Sequence, residues 1–99
     1  MTQSVTRDIC IKNSQGLHLR LACKVAEEAQ RFACSIQLAN EQQTADAKSV
    51  LDIILLAAGP GTSLQVRAHG ADAGKALERI GRLLERRETM EHHRQARLN

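Results

Sequence analysis

The sequence predicts an α+β domain, a four-stranded and mostly antiparallel sheet covered on one face by three helices, in the order β-α-β-β-α-β-α. Two observations carry this expectation. Short runs with apolar residues at alternate positions are interleaved with longer runs whose apolar residues recur every three or four, the periods of a half-buried strand and an amphipathic helix. No linker, repeat or low-complexity stretch divides the 99 residues, so a single core must serve them all.

Ile9 and Ile11 alternate with Cys10 and Lys12 and place a first strand over about residues 5–12. Polar residues 13–16 turn the chain into a helix over 18–30, with Ala22, Val25, Ala26 and Ala29 on its buried face. Residues 35–39 alternate around Ile36 and Leu38 as a second strand. Asn40-Glu41 turns the chain, and residues 43–46 make a short polar third strand at a sheet edge. Ser49 opens a short helix that stops at Gly59-Pro60-Gly61. Residues 63–68 alternate around Leu64 and Val66 as the fourth strand. Asp72 is placed to cap a last helix whose apolar stripe is Ala73, Ala76, Leu77, Ile80, Leu83 and Leu84. The domain is thus expected over 1–87, with 88–99 a charged, frayed tail.

Composition narrows the function classes. The chain is 42% hydrophobic and 25% charged, a globular balance, and Phe32 is its one aromatic residue. A platform for single-stranded nucleic acid needs several rings on which to stack bases, so no nucleic-acid partner is expected. The net charge of +3 owes much to Arg82, Arg86, Arg87, Arg94 and Arg97, which a solvated helix end explains as well as a nucleic-acid patch would. No apolar run has membrane-spanning length and residues 1–4 are largely polar, so neither membrane insertion nor a signal peptide is expected. Cys10, Cys23 and Cys34 are odd in number and lack metal-ligand spacing. They read as small buried or half-buried hydrophobes of a cytoplasmic protein, and Cys23 lacks the motif of a catalytic thiol. His69, near Gly70, and the pair His92-His93 read as surface residues, and no metal site is expected.

The richest segment is Gly16-Leu17-His18-Leu19-Arg20-Leu21-Ala22, where strand periodicity gives way to helix periodicity. His18 falls at a helix N-terminus, whose unsatisfied N–H groups favour bound anions. With Arg20 two residues on, an imidazole there suits phosphoryl transfer: the ring is the nucleophile, and guanidinium and helix end stabilise the anion. Gly16 supplies a permissive turn. The blander reading is a surface histidine at a loop–helix junction.

The middle helix is apolar nearly all round. If Ile53, Leu56 and Ala57 face the sheet, then Val50, Leu51, Ile54, Leu55 and Ala58 form an exposed patch, which Leu19 and Cys23 extend from the first helix. Such a patch usually marks a binding site; a deeply buried helix or a self-association face would account for it too. Ser49 and Asp52 have capping-box spacing.

Gly16-Leu17-His18-x-Arg20-x-Ala22 resembles the active-site segment of the HPr family, the histidine-containing phosphocarriers of the bacterial phosphoenolpyruvate:sugar phosphotransferase system. The likeness runs without gaps from about Ile9 to Glu85. Asp46-Ala47-Lys48-Ser49-Val50-Leu51 is similar to the family's regulatory-serine region, and Gly61-Thr62, leading into Leu64 and Val66, to its last turn and strand. The resemblance implies an HPr-like open-faced β-sandwich, monomeric and without cofactor. It implies a phosphohistidine shuttle rather than a free-standing enzyme. His18 would accept a phosphoryl group from a phosphoenolpyruvate-dependent donor of the enzyme I type. It would pass the group to a sugar-specific or regulatory acceptor of the enzyme IIA type, both docking on the apolar patch. Ser49 would be the target of an HPr kinase/phosphorylase. The alternative is an HPr-like regulator acting through phosphorylated Ser49 on a transcription factor or enzyme. One departure bears on the site: the family usually has proline after the active-site arginine, and this chain has Leu21.

Overall fold

The computed structural model describes residues 2–56 and 58–86. In chain order the elements are β1 (Gln3–Cys10), α1 (Leu19–Ala29), β2 (Ser35–Ala39), β3 (Thr44–Asp46), α2 (Val50–Leu56), β4 (Ser63–Gly70) and α3 (Ala73–Glu85). The strands form one sheet in the order β1-β4-β2-β3, with every pairing antiparallel. Ile9, Ile36, Leu38, Ala45, Leu64, Val66 and Ala68 point to the helix side and are buried. Their neighbours Asp8, Ser35, Gln37, Thr44, Asp46, Ser63, Arg67 and His69 are exposed on the open side. That alternation, apolar in and polar out, is what a sheet covered on one face requires.

The helices bury the residues their spacing selects. Ala22, Val25, Ala26 and Ala29 of α1 and Ala73, Ala76, Ile80 and Leu84 of α3 are buried, while Leu77 and Leu83 pack against the core from its margin. Among the described residues no helix is long and apolar enough to cross a membrane. The cysteines are free, with Cys34 buried and Cys10 and Cys23 half-buried.

Three local expectations are corrected. The first strand runs from Gln3 to Cys10 rather than over 5–12. Ile11 leaves it, yet its N–H donates to the Thr62 carbonyl at 2.9 Å and its carbonyl accepts from Gly61 N–H at 2.8 Å, so its alternation with Ile9 reflects burial beyond the strand. The fourth strand gains two residues because the early start of β1 supplies Gln3 and Ser4 as partners for Gly70 and His69. Asp72 stands at the N-cap of α3 but makes no side-chain capping bond. Its carboxylate instead accepts the N–H groups of Ala33 and Cys34 at 3.3 and 3.2 Å, tying the turn before β2 to the turn after β4. The Cys34 thiol also donates to it, which with lesser help from the two amides holds the Asp72 carboxyl below its ordinary range despite some desolvation. Burial, then this hydrogen bond, pushes the thiol up. Gly70 permits the approach: at φ 142° it has no Cβ, and one built there would lie 2.6 Å from Cys34 Cβ.

On β1, Arg7 lies in register with the inward-facing residues, and its guanidinium crosses Gly81 of α3 to donate to Glu85 Oε1 at 2.7 Å. The expected tail, 88–99 with its pair His92-His93, lies outside the described residues.

Candidate functional site

His18 is the N-cap of α1. Its backbone is extended, with φ −82° and ψ 175°, and its carbonyl accepts the Ala22 N–H at 2.9 Å, the first bond of the helical ladder. The amides of residues 19–21 therefore precede the ladder, as the first turn of any α-helix leaves them. An N-cap side chain commonly accepts from one of these amides, but the half-buried imidazole of His18 makes no such bond. The first turn holds no acidic residue, and Arg20, exposed, lies within it. A basic group and several amide donors thus share one helix end with a nucleophilic ring.

The loop carrying His18 is held from below. Asn13 is 2% exposed, and its Oδ1 accepts the Gln15 N–H at 2.8 Å while its carbonyl accepts the Gly16 N–H at 3.0 Å. Gly16 follows at φ 68°, and a Cβ there would stand 2.7 Å from the Ala58 carbonyl oxygen and 2.8 Å from Gly59 Cα. Only glycine fits both the angle and the space. Leu17 N–H then donates to that Ala58 carbonyl at 2.9 Å. Together with the bonds of Ile11 to Gly61 and Thr62, this zips loop 11–17 to loop 58–62 through main-chain groups. Asn13 and the Ala58 carbonyl were not singled out by the sequence patterns. The only sequence signal for Asn13 is its place at the head of a polar, glycine-ended turn.

The bond from Leu17 to Ala58 joins α1 to α2 at one end, and Gln30 Nε2 donating to the Lys48 carbonyl at 2.9 Å joins them at the other. The two helices are therefore antiparallel, and Leu55 comes to the His18 end. Leu19, Leu51 and Leu55 are 62%, 65% and 63% exposed. Cys23, Val50 and Ile54 are half-buried, the latter two packed against the core. The apolar surface is thus smaller than its sequence suggests. Ala58, expected within it, is buried under the glycine turn, and Ala57 lies outside the described residues.

Ser49 is half-buried, and its hydroxyl accepts the Asp52 N–H at 3.2 Å. The reciprocal half of a capping box is absent: Asp52 accepts from the Asp46 N–H, and Ser49 N–H donates to the Asp46 carbonyl at 3.0 Å. A shallow groove of about 550 Å³ lies elsewhere, on the open sheet side between Asp8, Asn40, Gln65 and Arg67.

One end of α1 thus brings together the half-buried His18, the exposed Arg20 and the exposed Leu19 and Leu55. Comparison with known proteins gives the family. The family model described as "PTS HPr component phosphorylation site" matches residues 5–86. The Phosphocarrier protein HPr of Pseudomonas aeruginosa is 35% identical over 81 residues, covering 81% of this chain and 90% of that protein. A Multiphosphoryl transfer protein of Vibrio cholerae is 38% identical over 74 residues, 72% of this chain but 18% of that protein. The crystal structure of an HPr from Bacillus anthracis superposes with a TM-score of 0.80 at 30% identity, covering 83% of this chain and 98% of that one. The chain belongs to the HPr family of the phosphotransferase system.

Proposed function

We propose that this chain is a phosphocarrier of the phosphotransferase system, with His18 as the phosphoryl acceptor and Arg20 as the charge that steadies the group. The observation that carries the reading is the imidazole at the N-cap of α1, uncommitted to capping and set beside Arg20. Phosphoryl transfer is chiefly positioning and charge stabilisation. The lone pair of an unprotonated ring nitrogen attacks phosphorus, an N–P bond forms, and the bond to the donor protein breaks with its electron pair returning to the donor. Onward transfer is the same exchange in reverse with a second protein. Arg20 and the amides at the helix start offset the phosphoryl charge in both states. The tie of Gly16 and Leu17 to the 58–59 backbone holds His18 in place throughout.

Leu19, Leu51 and Leu55, with Cys23, Val50 and Ile54 at their margin, are the surface on which we place docking of a phosphoenolpyruvate-dependent donor of the enzyme I type and an acceptor of the enzyme IIA type. Contact there brings a partner's reactive group to His18 at the same end of α1. Ser49 serves as the cap of α2; a phosphate on it would lie at the start of the helix that carries Leu51 and Leu55 and would oppose an apolar partner.

The test is incubation with phosphoenolpyruvate and the donor enzyme, followed by mapping of the label. Acid-labile phosphate on His18 is expected. Its absence, with acid-stable phosphate formed only by an ATP-dependent kinase, would replace the carrier with a regulator acting through Ser49.

A further inference from the structure

We infer that the open face of the sheet binds the phosphate group of a small phosphomonoester, with Arg67 and His69 of β4 as its principal donors. The site lies on the side of the sheet away from the helices and does not depend on the reading of His18. A hollow of about 200 Å³ is lined there by Ser4 and Thr6 of β1, Ser35 and Gln37 of β2, and Arg67 and His69 of β4. β4 runs between β1 and β2, and the register sets these residues in two rows. Ser4, His69 and Ser35 form one row, and Thr6, Arg67 and Gln37 the other. Along each strand the two rows are two residues apart, so both face the same way. Each of the six side chains can donate a hydrogen bond, and none is a carboxylate.

Charge singles this hollow out. Arg7, Arg79 and Arg82 each pair with a glutamate. Among the described residues Arg67 has no such partner: its Nε donates to the neutral Gln65 Oε1 at 2.7 Å, and Gln65 Nε2 donates in turn to Asp8 Oδ1 at 3.4 Å. The guanidinium is thus held without being neutralised, and its remaining N–H groups form a fork suited to two oxygens of one anion. His69 Nδ1 is bonded to the Ser4 hydroxyl, and with the hydroxyl donating, the ring proton sits on Nε2 as a second donor. The Ser35 hydroxyl donates to the His69 carbonyl at 3.5 Å, a long bond readily exchanged for a charged acceptor. Asp8 and Glu41 line the larger groove beside Arg67 and no part of this hollow, so the two depressions differ in the ligand charge they favour. Donors from three strands exceed what the two oxygens of a carboxylate can use and suit the three of a phosphate monoester. Val5 and Ala68, which also line the hollow, give the ester carbon an apolar contact.

The measurement is a titration of the wild-type protein with methyl phosphate, followed by amide NMR at fixed pH and ionic strength. The amides of Ser4, Ser35, Arg67 and His69 should move together and saturate. Arg67→Gln should raise the dissociation constant about tenfold, the loss of one charge-assisted hydrogen bond. Arg82→Gln, on α3 and outside the hollow, should leave it unchanged. Inorganic phosphate should shift the same amides, and acetate should do so much more weakly. No saturable movement at these amides, or movement confined to residues 18–22, would overturn the proposal without recourse to any variant. Equal dissociation constants for wild type and a folded Arg67→Gln would overturn it too, as would acetate binding as tightly as methyl phosphate.

Discussion

His18 and Asp72 occupy the same position in their helices, the N-cap, and neither side chain caps. The two part company in what the side chain does instead. Asp72 is spent on structure: its carboxylate collects Ala33 N–H, Cys34 N–H and the Cys34 thiol, and fastens two turns at one end of the sheet. At the other end, past the full length of α1, two loops are joined through main-chain groups of Ile11, Leu17, Ala58, Gly61 and Thr62, with Asn13 Oδ1 holding the Gln15 N–H within one of them. Backbone groups join the loops there as a side chain does at Asp72, and the His18 imidazole makes no capping bond. Ser49, by contrast, performs the ordinary N-cap duty on α2.

Substitutions can break or sharpen this contrast. The largest effect belongs to His18→Ala, which should abolish phosphoenolpyruvate-dependent labelling while moving stability by no more than about 0.5 kcal/mol. Acid-labile phosphate appearing at the wild-type rate would take His18 out of the site. Arg20→Ala should slow transfer about tenfold or more, because a charge-assisted contact to the phosphoryl oxygens is worth roughly 1.5–3 kcal/mol. Rapid-quench kinetics with the donor enzyme measure it. Leu51→Glu should weaken donor docking about tenfold in a titration and leave the melting temperature near that of wild type, since a charge is costly only when the contact desolvates it. A melt far below wild type would make Leu51 core.

Gly16→Ala tests the main-chain fastening. A Cβ 2.7 Å from the Ala58 oxygen, at a positive φ, should cost about 1–3 kcal/mol in denaturant unfolding and slow labelling as His18 shifts. The smallest effect concerns Asp72. Its carboxyl is a stronger acid in the folded chain than in the unfolded one, chiefly because of the Cys34 hydrogen bond. The stability it adds is therefore fully present at neutral pH and is lost as pH falls from the ordinary 3.8 through the depressed folded value. Thermal melts should fall more steeply with acid for wild type than for Asp72→Asn, with labelling at neutral pH unaffected. Parallel acid profiles would show that the carboxylate has no special partner.

The sheet and helices were legible because their apolar residues follow simple periods. β2 falls on residues 35–39 as read, and the alanine face of α1 is buried as spaced. The candidate site was legible because His18 and Arg20 sit where two periods meet. What escaped the patterns depends on tertiary partners. Ile11 continues the alternation of Ile9 but bonds to a loop, and Asp72 has the residue type and place of a cap but finds better donors across the chain. Ala58 looks like the end of an exposed helix and is buried because Gly16 closes over it. No spacing rule reports a partner 38 or more residues away in the chain.

The strand β1 runs along one margin of the sheet, and Gln3–Cys10 is a long edge to leave open. Bare edges of this length invite other chains to add to them and seed aggregates. Arg7 sets a charge on the inward side of that strand, anchored over Gly81 against Glu85. A newcomer that extended the sheet would have to bring its own inner face up to a fixed guanidinium. A domain that exposes leucines on its helix face thus keeps a charged sentinel on the border where strand pairing would be indiscriminate.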